Sequence, residues 1–378
     1  KDYIHNWNFP DSKYNVEKIT TNLLLSNTAG LPLGTIGPGA IYSPEEKIPS
    51  LKELLTKEVY LIQEPGTSFF YSDTGFNLLE LLVEEVSKQE FAEYMKKEIL
   101  LPLRMYHSSY TWNDEWSPPV PTGYDVKGKP VPVYTYSMKA SGNLYSTVTD
   151  IAQFVKAGML DSPNNNNVLE QNNIQKLYQP VVKKIPGYYG LVFDSYGLGH
   201  YIEWFSEGVK SVSHGGQGTG WMSHFQSVPS TGDGIVILTN SQRSWPAFSY
   251  ILSDWTAWNG FSPAGMEIII TGQKILWGLV VLLLFVIIWK FWGLLEDIIK
   301  DKRKCILGTQ KITVFSIMKI GLALFLFSGI YFAVNMEYQP LYSIFPVVSH
   351  WVFNFLFILS GYILVTALFS NKREEKRN

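Results

Sequence analysis

Three long apolar runs in the last third of the chain limit what it can fold into more than any other feature. The first is uninterrupted from Ile275 to Trp289, is bounded by Lys274 and Lys290, and extends to Leu295. The second runs from about 312 to 334 and the third from about 347 to 369. A helix needs roughly 20 apolar residues to cross the hydrocarbon core of a bilayer, and each run has that length. Lysine stems at the ends of the first run can snorkel to headgroups. Trp277, Trp289, Trp292, Tyr331, Tyr342 and Trp351 fall where interfacial aromatic belts form. Residues 268–371 are therefore expected to hold three transmembrane helices, about 270–295, 312–334 and 347–369, with a lipid bilayer as partner.

Charge in the connections sets an expected orientation. The first connection carries Lys300, Lys302, Arg303, Lys304 and Lys311, and the tail carries Lys372, Arg373, Lys376 and Arg377. The connection from Asn335 to Pro346 has neither Lys nor Arg. By the positive-inside rule the first connection and the tail are cytoplasmic, and an odd number of spans then places residues 1–261 outside. Lys319 and His350 lie near span ends, and no acidic residue lies mid-span. No internal repeat or Pro-broken helix pair is apparent, so the spans read as the anchor of a multi-pass cell-membrane protein.

Up to Phe261 the composition is that of an ordinary soluble protein. Net charge is -2 and the basic residues form no stripe, which argues against nucleic acid as a partner. The single cysteine, Cys305, excludes a disulfide framework and a cysteine-based metal site. The chain begins at Lys1 and shows no signal peptide. Ser50 with Glu53 predicts a capping box, an apolar helix is expected from Phe76 to Val86, and an amphipathic one from about Glu90 to Ile99, stopped by Pro102. Thr147 to Asp150 marks another helix start, and Gly234 to Asn240 is strongly β-like. Helices in the middle and strands towards the end of this part predict an α+β layout with an antiparallel sheet.

Four segments carry a family resemblance. The segment TTNLLLSNTAGLP, ending at Pro32, is similar to the loop that follows the nucleophile helix of β-lactamase-related serine hydrolases. Tyr71-Ser72-Asp73 is similar to their Tyr-x-Asn motif, and SGNLYSTVTDIAQF, ending at Phe154, to their Gly-Gly-Leu-x-Ser-Thr helix start. HGGQGTG, His214 to Gly220, resembles the His-x-Gly form of their Lys-Thr-Gly motif. In order and spacing across Tyr3 to Trp258, these segments resemble the family of class C β-lactamases and penicillin-binding proteins. The resemblance implies a β-lactamase/transpeptidase-like domain over residues 1–261, an antiparallel sheet flanked by helices with a helical subdomain. Three C-terminal spans on such a domain also resemble the membrane peptidases that mature antibiotic-like prodrugs, of the colibactin-maturing type.

The resemblance also implies a chemistry. Family members acylate the serine of a Ser-x-x-Lys motif, with a lysine and a tyrosine phenol moving its proton. Tyr71 would be that phenol, and His214 would line the opposite wall from a strand. Gly215 and Gly216 would keep the strand clear for substrate backbone, and the Gln217 N–H would supply half of an oxyanion hole, an effect of about 3 kcal/mol in such sites. Asp73 stands in the usual Asn place. An ionised Asp can only accept hydrogen bonds, so it would disfavour phenolate at Tyr71 and suit a substrate presenting a donor or a cation.

Ser43 and Ser206 each have a lysine four residues on, Lys47 and Lys210, one too far for the motif. Ser-x-x-Lys is taken to be absent from the chain, and the nucleophile is expected upstream of Lys1. His5, His107, His200 and His224 lack metal-ligand spacing and are expected to be structural or on the surface, with no metal. Phosphate-binding Gly loops are missing too, so no cofactor is expected. Asn164 to Asn167 should be a solvated loop, and Trp112, Trp116 and Trp204 packing residues, with Trp221 placed to line a cleft. The expected activity is hydrolysis of amide or ester bonds in peptide-like or acylated small molecules, with D-amino-acid or N-acyl peptides foremost. A non-catalytic binding or sensor module is the alternative, and transport through the spans a third.

Overall fold

The computed structural model describes residues 2–36, 39–117, 119–160, 168–305, 314–335 and 340–371. Asn164 to Asn167, Lys311 and the basic tail from Lys372 lie outside the described residues. The chain divides into two units, Lys1–Ile268 and Ile269–Asn378.

The first unit opens with a short helix, α1 (Thr21–Leu25), and a two-residue strand, β1 (Ile41–Tyr42). Helix α1 occupies the front of a segment read from the sequence as a loop; the Thr20 side chain caps it by accepting from the Leu23 N–H. Helix α2 (Leu51–Glu58) starts at the expected capping box, with the Ser50 side chain accepting from Glu53 N–H and Glu53 reaching back to Ser50. Helix α3 (Asp73–Ser87) follows, capped by Ser72, whose Oγ accepts from the Gly75 N–H. The second amphipathic helix is shorter than its pattern suggests. It is α-helical only as α4 (Phe91–Met95), then widens into a π-turn over Lys96–Leu100 before Pro102. A buried cluster of Trp7, Leu24, Leu31, Leu55, Val59, Leu78 and Leu81 joins α1, α2 and α3. Leu55 and Leu81 are fully buried, worth about 2 kcal/mol each by area.

Two strand pairs come next, β2 (Gly123–Tyr124) with β3 (Pro130–Val131), and β4 (Thr135–Tyr136) with β1. Helix α5 (Val148–Ala157) begins where Thr147 accepts from the Asp150 N–H, and α6 (Gln171–Leu177) is short. The main sheet is antiparallel, in the order β5 (Ser195–Tyr196), β6 (Tyr201–Trp204), β7 (Lys210–Gln217), β8 (Met222–Val228), β9 (Asp233–Thr239). Successive side chains of a strand point to opposite faces. On β8, Phe225 meets Phe154 of α5 at 5.8 Å, while His224 meets Phe248 of α7 (Trp245–Trp258) at 6.2 Å. The sheet therefore lies between α5 and α7. The β-lactamase/transpeptidase-like α+β layout expected from the sequence is the one observed.

The second unit contains α8, which runs Glu267–Ile299, α9 (Val314–Asn335), α10 (Pro340–Ile344) and α11 (Pro346–Leu368), with a short antiparallel pair of Arg303–Cys305 and Phe369–Asn371. Three of them, α8, α9 and α11, are long and apolar enough to cross a membrane. Val280 of α8 packs with Val348 and Val352 of α11. The hydroxyls of Ser349 and Ser360 donate to the carbonyls of Phe345 and Leu356, four residues back. Such bonds satisfy polar groups without water, as an apolar surrounding requires.

Candidate active site

Tyr71 sits in the extended turn just before α3, and the surrounding backbone bonds hold it there. Ser72 N–H donates to Asn27 Oδ1 at 3.0 Å, and Ser72 Oγ donates to the Pro32 carbonyl at 2.6 Å. The N–H groups of Phe70 and Asp73 donate to the carbonyls of Asn27 and Leu33, at 2.8 and 2.9 Å. Asn27 adopts φ +54°, a left-handed conformation that asparagine tolerates better than most residues. Its Nδ2 donates to the Tyr196 hydroxyl at 3.1 Å. The segment ending at Pro32 is thus the bracket for the Tyr71–Asp73 turn, which explains why the two occur together.

The Tyr71 ring faces the main sheet. Its centroid lies 6.1 Å from His214 and stacks at 6.5 Å on Tyr201, which itself stacks on His214 at 5.4 Å. Tyr189, from a 3₁₀ turn over Gly187–Leu191, closes the cluster 5.8 Å from Tyr71. Burial pushes the Tyr71 phenol well above its usual range, and the Asp73 charge adds to this. Burial likewise holds the His214 imidazole down at about 4, helped by neighbouring His200. At neutral pH the pair is a phenol facing a neutral imidazole, and neither carries charge. Asp73, half-buried, has its carboxyl raised to about 7 by burial and then by the nearby Glu58.

His214, Gly215, Gly216 and Gln217 form the end of β7, paired with Phe225, His224, Ser223 and Met222 of β8. On the other edge, pairing with β6 stops at Ser213. Among the described residues no strand pairs with Gly215 or Gly216 on that side. The absence of a side chain at Gly215 also has a packing cause. A Cβ there would lie 2.8 Å from the Ser223 carbonyl and 3.0 Å from His224 Nδ1. Gln217 takes its side chain away from the cluster, its Oε1 accepting from Trp245 Nε1 at 3.0 Å.

So Tyr71 lies beside His214, Asp73 is close enough for its charge to act on Tyr71, and Gly215 to Gln217 lead away along one strand. Sequence reasoning missed Tyr189, Tyr196 and Tyr201; the density of Tyr and Gly from Gly187 to Tyr201 was the available signal. It also set His200 and His224 apart from His214, whereas both come within electrostatic reach of it, and burial lowers the pKa of each. His107 is exposed and hydrogen-bonds through its N–H to Asp150 at 2.7 Å. Trp221 donates to the Pro121 carbonyl and packs on Tyr134. Among the described residues no group of three His, Cys, Asp or Glu could hold a metal. A cavity of about 450 Å³, lined by Glu80, Glu84, Tyr110, Trp112, Tyr136 and Lys139 among others, includes none of the Tyr71 cluster.

The reading that Ser-x-x-Lys is absent needs correcting. Ser316-Ile317-Met318-Lys319 has that spacing, in α9 of the second unit. Ser316 is buried in an apolar helix and the Lys319 ammonium lies over Phe315, 4.3 Å from the ring centre. Tyr71 and His214 belong to the other unit, whose residues 2–261 contain no such spacing.

Comparison with known proteins agrees with this architecture. Residues 3–250 match the family model described as Beta-lactamase. Protein flp of Staphylococcus aureus (strain MRSA252) is 25% identical over 229 residues, 59% of this chain and 43% of that protein. A putative penicillin-binding protein, PbpX, of Bacillus subtilis (strain 168) is 26% identical over 192 residues, 50% of this chain and 44% of its own length. This chain therefore spans less than half the length of these curated relatives. Among solved structures, the octameric penicillin-binding protein homologue from Pyrococcus abyssi superposes with a TM-score of 0.53 at 25% identity, covering 69% of this chain and 60% of that one. A family model matched over well more than half of the chain, and a sheet and helix arrangement of the same kind, establish that this chain belongs to the β-lactamase family.

Proposed function

We propose that this chain is a membrane-anchored serine hydrolase that cleaves amide or ester bonds outside the cytoplasm through an acyl-enzyme, acting on D-amino-acid or N-acyl peptides. The observation that carries this reading is the placement of Tyr71 6.1 Å from His214, beside the end of β7 that extends past its pairing with β6, in a β-lactamase-family domain. The serine oxygen attacks the substrate carbonyl and its proton passes by way of the lysine and the Tyr71 phenol to the leaving nitrogen or oxygen. Water then attacks the acyl-serine with the same groups in reverse. The neutral His214 keeps Tyr71 oriented as a proton carrier, and the Gly215–Gly216 edge accepts the substrate backbone as a strand. Substrate and acyl-enzyme stay within the chemistry of side chains and backbone, with no cofactor.

Three apolar helices supply the anchor. The clustering of Lys and Arg in the connection after α8 and in the tail supports an outward-facing catalytic unit. Incubating the full-length protein from its native membrane with a fluorophosphonate probe or labelled penicillin, followed by peptide mapping, tests the chemistry. A labelled serine, located by its peptide, is expected. Full-length protein that takes no label from either reagent would leave the domain as a binding or sensor module.

A further inference from the structure

The cavity beside α3 is walled by three aromatic rings, and each is braced from behind. Tyr110 meets Phe91 edge-on at 5.2 Å, and Tyr136 meets Tyr134 at 5.3 Å. Trp112 is wedged against Trp116 and Tyr145, at 5.1 and 5.6 Å. Rings held in this way resist collapse, so the space of about 450 Å³ is preformed. That volume lies within the roughly 300–1,000 Å³ of small-molecule sites. Ile48 adds apolar surface, and the exposed Ser50 and Thr111 stand at the rim, which opens the cavity to solvent.

Its charged lining is acidic. Glu80 and Glu84 are one turn apart on α3 and border the cavity together. Glu80 is 1% exposed, and its Oε2 accepts the N–H groups of Lys139 and Ala140 at 2.6 and 2.8 Å. Its Oε1 accepts none among the described residues, and the cavity is the space from which a donor could come. Lys139, the cation of the lining, is engaged by Glu90 at 3.0 Å. Three carboxylates thus share one ammonium. Burial raises the Glu80 carboxyl to about 7, even though the two N–H groups and the Lys139 charge pull it down.

A neutral ring or a sugar would fill this space and leave the Glu80 charge uncompensated. An organic cation with N–H donors meets both demands, since it pairs with the carboxylate and lies against the ring faces. A guanidinium is planar, stacks on Trp and Tyr, and turns several donors in one direction. We propose that this cavity is a binding site for an alkylguanidinium or alkylammonium group, with its N–H donors on Glu80 and its body against Ile48 and the Tyr110, Trp112 and Tyr136 rings. Glu80 lies two helical turns beyond Asp73 on α3, about 10 Å along the axis. The site is therefore separate from the Tyr71 cluster and does not depend on the hydrolase reading.

Calorimetric titration of the full-length protein in nanodiscs, with n-butylguanidinium and with n-butylurea as its uncharged isostere, tests this. The cation should bind at least about tenfold more tightly than the urea. Glu80→Gln keeps an acceptor for the Lys139 and Ala140 N–H groups, removes the charge, and should erase most of that preference. Glu84→Gln leaves those two bonds untouched and should lower the preference in the same direction, which keeps the site testable if Glu80→Gln does not fold. Trp112→Leu removes a ring face and should weaken the cation about three- to tenfold. Asp73→Asn should leave the titration unchanged. Equal affinity for the two compounds, no binding of either, or a preference that survives every glutamate variant that folds overturns the site. Binding lost in Asp73→Asn and kept in Glu80→Gln would place the cation at the Tyr71 cluster and overturns it as well.

Discussion

Asp73 is the residue on which the electrostatics of the site turn. In the unfolded chain its carboxyl ionises near 3.8, and in the folded unit it holds its proton up to about 7 because burial and Glu58 both oppose the charge. Between those values the folded state binds the extra proton. Its favourable contribution is therefore complete below pH 3.8 and is lost as pH rises through about 7. Asp73→Asn removes this dependence while keeping the shape. The melting temperature of Asp73→Asn minus that of the parent chain should grow steadily from pH 4 to pH 8 in unliganded protein; a flat difference would show that Asp73 is solvated or already paired. His214 and His224, both held down to about 4 by burial, act with the opposite sign. They stay neutral in the fold while the unfolded chain takes up protons, so their contribution is present above pH 6.5 and fades as pH falls through about 4. The subtraction between variant and parent cancels that second effect, which is why it is the quantity to measure.

At the level of elements, the β7–β8 pairing fixes which glycines the fold requires. A Cβ at Gly215 would press on the Ser223 backbone carbonyl, which cannot move without breaking the pairing, whereas one at Gly216 would meet only the Ser223 hydroxyl at 2.9 Å. Gly215→Ala should therefore cost about 2 kcal/mol or more in urea unfolding and Gly216→Ala under about 1 kcal/mol. Equal costs would mean that the strand absorbs the extra atom by shifting. The contrast also shows what could be read in the sequence. The capping box of Ser50 with Glu53 and the cap that Thr147 gives to the Asp150 N–H were legible, because each pair acts within three residues. The strand over Asp233–Thr239 was legible from its run of β-branched residues. Tyr71, Asp73 and His214 could be placed in one site only through the order of motifs, since 143 residues separate Tyr71 from His214. The remaining site residues were not legible. Tyr189, Tyr201 and Glu58 reach the site through tertiary packing, and neither periodicity nor spacing carries a mark of that. The premature widening of the helix after Met95 was hidden for a similar reason, because the amphipathic pattern continues through residues that no longer keep α-helical bonding.

For the molecule as a whole, the division into a soluble-type unit and an apolar helical unit makes sidedness the property on which function depends. A hydrolase of peptide-like compounds outside the cell needs its first unit in the extracytoplasmic space, and the unequal charge of the two connections predicts that placement. Cys305 is the single cysteine, so Cys305→Ser gives a background without thiols. Two further substitutions, made one at a time, then report on the two sides. Tyr3→Cys places a thiol on the first unit at a side chain 64% exposed, and Lys302→Cys places one in the basic connection after α8. With a membrane-impermeant maleimide on intact cells, Tyr3→Cys should label at once and Lys302→Cys only after permeabilisation. The reverse pattern would put the first unit in the cytoplasm, where the positive charges would be facing the wrong way and the anchor reading would have to give way to one in which the helices, and not the hydrolase-like unit, govern what crosses the membrane.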